Sequence, residues 1–118
     1  AALIPELKVS LSYAGSLPMA YRGDPRNHGD WEQVYSPIYK MVSYLDLYQL
    51  MLLDSVGKPT REAYLIYNDN DSCCFMNPAA SDFKRQVEDL DFYPTTLIDK
   101  NSMHTMKVSL VKQLLKHF

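Results

Sequence analysis

The chain has 118 residues, 47% apolar and 22% charged, the size and balance of one globular domain around a single hydrophobic core. Fourteen acidic against twelve basic side chains leave a formal charge of -2, so no overall positive field draws the chain onto phosphate backbones, which disfavours a strong nonspecific nucleic-acid binder. No apolar run approaches the ~18 residues of a membrane span, since "LYQLMLL" is preceded by Asp46 and closed by Asp54, and the expected protein is soluble, with no membrane partner.

The opening "AALIPELKVS" lacks the basic start, long apolar stretch and cleavage site of a secretory signal, so a cytoplasmic location is expected. Cys73 and Cys74 are neighbours, and a disulfide between neighbours is strained, so both read as reduced thiols. Together with the scattered His28, His104 and His117 they match no zinc spacing.

Residues 3 to 13 read as a strand, with Leu7, Val9 and Leu11 on one face and Lys8, Ser10 and Ser12 on the other; Pro5 marks an edge or a start. Residues 15 to 29, with three glycines and two prolines, predict a long loop. Ser36 and Pro37 then suit an N-cap and first helical residue. Ile38, Met41, Val42, Leu45, Tyr48 and Leu52 recur at helical steps, and Gly57 and Pro59 close the run. Leu47, Leu50 and Met51 widen the apolar arc, which makes this the expected central helix.

A hairpin of residues 62 to 67 and 72 to 76 is expected around the polar "NDNDS". Asp69 and Asp71 in that turn lack the glycine and distal glutamate of a calcium loop and read as a hairpin tip. "PAASDFKRQVEDL" predicts a surface helix with Phe83, Val87 and Leu90 on one face, "YPTTLID" a short strand, and Ser102 the cap of a last helix with Val108, Val111, Leu115 and Phe118 in line. The expected fold is therefore α+β in two or three layers, a small mixed sheet packed by a central helix in the order β-loop-α-β-β-α-β-α. With glycine only at 15, 23, 29 and 57, no phosphate loop, nucleophile elbow or dinucleotide fingerprint is present.

Chemistry is concentrated in Glu6 and Lys8, and in the loop carrying Arg22, Asp24, Arg26, His28 and Asp30. "PELK", then a variable loop, then "SYLDLYQLMLLDSVGKPTREAYLIYND" resembles the Glu-x-Lys strand, helix and following strand of the RecB-like PD-(D/E)XK nucleases, over roughly residues 3 to 70. That resemblance implies a nuclease, a hydrolase of DNA phosphodiesters that uses Mg²⁺ or Mn²⁺. Glu6 would be a metal ligand, Lys8 would orient the attacking water or clamp the phosphate, and Tyr48 would match the helix tyrosine, with Tyr44 where the family has glutamine. A metal and a lysine suit this reaction because they neutralise the phosphodiester oxygens and supply hydroxide at neutral pH.

The family's other carboxylate lies on an earlier strand, for which five residues before Glu6 are too few. Three alternatives follow. Residues 1 to 118 are one domain that forms the C-terminal part of a larger nuclease-like domain; or Asp24 or Asp30 completes the metal site; or the site is inactive. Read without the resemblance, Glu6 and Lys8 are solvated charges on a strand face, and Tyr48 packs the helix against the sheet. Nine tyrosines and the absence of a complete catalytic set equally suit a noncatalytic protein-protein interaction domain or a subunit of a larger assembly. Nucleic acid and a protein are thus the two expected partners.

Overall fold

The computed structural model describes residues 4, 6–14, 17–18, 21, 36–71, 78–88, 90, 92–100 and 103–117. These residues form a small α/β arrangement: β1 (Val9–Tyr13), α1 (Ser36–Met41), α2 (Tyr44–Leu50), β2 (Glu62–Asn68), α3 (Ala79–Val87), β3 (Thr95–Asp99) and α4 (Val108–Leu114), then a 3-10 turn at Leu115–His117. The three strands lie in the order β1-β2-β3 and both pairings are parallel, with Val9 opposite Glu62 and Asn68 opposite Asp99. Parallel neighbours need a crossover between them, and α1 and α2 supply the first and α3 the second. The α+β expectation thus holds as a three-stranded sheet with helices.

β2 is the central strand, and its near-continuous apolar run "AYLIY" is what a strand covered on both faces requires. Ala63, Leu65 and Tyr67 alternate onto one face and join Tyr48 and Met51 of the α2 region and Ala80, Phe83 and Val87 of α3 in the core. Phe83 is the hub, its ring edge-on to those of Tyr21, Tyr48, Tyr67 and Tyr93 at 5.2 to 6.2 Å. The segment expected to be a surface helix therefore delivers the best-buried aromatic side chain, while Leu90 at its end stays exposed.

Three further expectations are corrected. The expected single helix after Ser36 is two, because Ser43 is extended and starts α2 with a capping box: its hydroxyl accepts the Asp46 N–H at 3.2 Å, and the Asp46 carboxylate accepts the Ser43 N–H at 2.9 Å. Gly57 does adopt positive φ, +76°, but in the turn after the helix, where the Asp54 carboxylate accepts the N–H groups of Val56 and Lys58, each at 2.9 Å. The last helix starts at Val108 with Lys107 as its N-cap and buries none of its residues. Residues 72 to 76, the second half of the expected hairpin, lie outside the described residues, as does Ser102; the neighbours of β2 are β1 and β3.

Candidate functional site

Strand β1 begins at Val9, so Glu6 and Lys8 precede the strand rather than sharing one of its faces, and both are exposed. Their backbone is nonetheless fixed. Buried Arg61 donates from Nε to the Leu7 carbonyl at 2.7 Å and from Nη1 to the Leu53 carbonyl at 2.9 Å, and the Glu62 N–H reaches the Lys8 carbonyl at 3.0 Å. The Lys58 N–H holds the Asp54 carboxyl below its usual range, against a burial effect of opposite sign, with Val56 and Thr60 also donating and the charge of Lys8 adding the smallest part. Tyr48 is buried in the aromatic core, edge-on to Phe83 and Tyr93 at 6.1 Å each. Asp24 and Asp30 lie outside the described residues, and among the described residues no group of three His, Cys, Asp or Glu side chains could hold a metal ion.

The opposite end of the sheet, on the order of 15 Å along the strands, carries a polar cluster that the sequence reading did not assemble. Each strand ends there in a polar residue: Tyr13, Asn68 and Asp99. The Tyr13 hydroxyl donates to Asp99 Oδ2 at 2.5 Å, Lys107 Nζ donates to Asp99 Oδ1 at 3.2 Å, and the Asp69 N–H donates to the Asp99 carbonyl at 2.8 Å. The Asn68 amide donates to the carbonyls of Met103 and Thr105 at 2.5 and 3.1 Å. Between those two residues, His104 places Nδ1 2.7 Å from Oδ2 of fully buried Asp71.

The signal for this cluster was present in the residues "NDND" from the end of β2 and "DKNSMH" from the end of β3. What was missing was the parallel pairing, which brings both loops to one edge; read as a hairpin tip, Asp71 has no reason to meet His104. A separate cleft of about 360 Å³ opens between α3 and the start of β3, lined by Lys84, Val87, Glu88, Leu90, Tyr93 and Leu97 among others, and touches neither cluster.

Comparison with protein-family models, with curated proteins and with solved structures finds no match to this chain.

Proposed function

We propose that the chain is an interaction domain, docking an apolar surface of another protein chain through its C-terminal stretch. The observation that carries this is helix α4, none of whose residues is fully buried and of which only Leu110, Val111 and Leu114 are half-buried, while Met103, Met106, Val108 and Leu115 in and around it are exposed. Val108, Val111 and Leu115 share a face at helical spacing, and Lys112 and Lys116 flank it on the Val108 side. An amphipathic helix with part of its apolar face exposed in this way offers that face to a partner. The lysines favour a partner with an acidic rim, which would speed encounter and set orientation.

A photocrosslinking residue at Val108 or Leu115, introduced in the cell that makes the protein, should capture one defined adduct, whereas the same residue at exposed Lys58 should not. Equal labelling at all three positions would overturn the reading. A defined adduct of twice the chain's mass would identify the partner as a second copy.

A second reading, a metal-dependent nuclease acting on DNA, is supported by the order strand, helix, parallel strand over residues 9 to 68 and by the fixed backbone at Glu6 and Lys8. It predicts Mg²⁺- or Mn²⁺-dependent cleavage of linear, circular or single-stranded DNA that is lost in Glu6→Ala and Lys8→Ala. Cleavage unchanged in both variants would reject it.

A further inference from the structure

The charge of the chain is unevenly spread. Residues 82 to 91, "DFKRQVEDLD", carry Asp82, Glu88, Asp89 and Asp91 against Lys84 and Arg85, whereas residues 106 to 118, "MKVSLVKQLLKHF", carry Lys107, Lys112 and Lys116 and no acidic side chain. Apolar surface accompanies both segments. The cleft of about 360 Å³ between α3 and the start of β3 has Val87, Leu90, Tyr93 and Leu97 along it, with Leu90 exposed. Glu88 stands on the same cleft as an exposed carboxylate, paired through Oε1 with Lys84 at 3.3 Å. An exposed pair of this kind contributes little and is readily exchanged for another. Because a cavity of ~150 Å³ holds one benzene ring, the cleft has room for roughly two aliphatic side chains. On α4 and the turn after it, Val108 and Leu115 are the exposed aliphatic pair, flanked by Lys112 and Lys116.

These two surfaces do not meet within one chain. The cleft lies at the start of β3, while the stretch leading into α4 is tied to the end of that strand by the bond from Lys107 to Asp99, on the order of 13 Å further along. Among the described residues none from α4 lines the cleft. We propose, on the docking role given to α4 above, that its partner is a second copy of this chain, with Val108 and Leu115 entering the cleft beside Leu90 and Leu97. Lys112 and Lys116 then face the carboxylates of the acidic segment, which sets orientation, while the apolar contact supplies affinity. Since the two surfaces differ, the contact is heterologous: each added copy leaves one α4 and one cleft free, so association continues into a chain of copies or closes as a ring.

The test is sedimentation velocity of the intact chain over about 1 μM to 1 mM, the range in which contacts of weak to moderate affinity form. The average mass should rise past that of a dimer, and Val108→Asp/Leu115→Asp, which spoils the helix, and Leu90→Arg, which spoils the cleft, should each weaken association at least about tenfold. Glu88→Lys replaces the cleft variant if circular dichroism shows that Leu90→Arg has lost its fold. Mixed in equal amounts, the two variants should pair through the intact α4 of one and the intact cleft of the other, and stop at a heterodimer. A mixture that stays monomeric, or a cleft variant that associates as the wild type does, overturns the proposal. A wild type that is monomeric throughout also overturns it, and the crosslink at Val108 or Leu115 then decides separately whether α4 docks on a different protein.

Discussion

Tyr93 shows how one atom sets a measurable property. Its ring packs edge-on to Tyr48 and Phe83, yet its buried hydroxyl has no hydrogen-bond partner among the described residues. Burial pushes the phenol well above its ordinary range, with smaller contributions from Tyr48, Tyr21 and Asp46. The folded state therefore keeps the proton where the unfolded chain loses it, so stability is unaffected below the ordinary value of 10.0 and falls as pH rises above it. Tyr93→Phe should unfold at the same or a higher urea concentration than the wild type, by about 0.5–1 kcal/mol, and lose less stability above that pH. A destabilised variant with an unchanged alkaline limb would show that the hydroxyl has a partner. Phe83, which meets four tyrosine rings, is the opposite case, and Phe83→Ala should cost about 3–5 kcal/mol in the same experiment.

Residue identity alone did not foretell these roles. Phe83 stands in a segment with charged neighbours, where helical spacing announces a buried stripe without saying how deeply it inserts. Tyr48 was legible as core because Leu45, Met51 and Leu52 fall one turn away on its own face of the apolar run. Asp71 and His104, 33 positions apart, were legible only as loop residues, since what joins them is strand direction.

Elements were legible where local chemistry fixes them. The strand at 95 to 99 and the start of the strand at 62 followed from β-rich runs bounded by turn residues. The break at Ser43 was also written in the sequence, as Ser-x-x-Asp at 43 to 46, but a strong apolar periodicity on both sides hides it. Ser43→Ala should therefore cost about 1 kcal/mol by urea unfolding, and a neutral result would mean that α1 and α2 join into one helix once the cap is removed. Gly57 is needed for its backbone alone. At φ +76° with nothing within 4 Å of a built Cβ, Gly57→Ala meets open space, and its cost of about 1 kcal/mol is conformational. A larger loss would show that the turn transmits strain to Asp54 and the Arg61 tether.

At the scale of the molecule, the sheet separates two polar ends. Exposed Glu6 and Lys8 precede β1, and the buried Asp71 and Asp99 lie where β2 and β3 finish. α4 follows the stretch of residues 103 to 107 at the second end. Its attachments are polar, through Asn68, Asp71 and Asp99 to residues 103 to 107, and its apolar residues contribute nothing to the described core. Helical spacing announced this element, but burial depends on what faces it, and α4 reaches only half-burial, at Leu110, Val111 and Leu114. If its apolar face serves a partner, removing that face should leave the protein's own stability intact. The direct measurement is equilibrium urea unfolding of the Val108→Asp/Leu115→Asp double variant, which should stay within about 0.5 kcal/mol of the wild type. A loss above about 2 kcal/mol would contradict the account, because losses of that size come from the protein's own core.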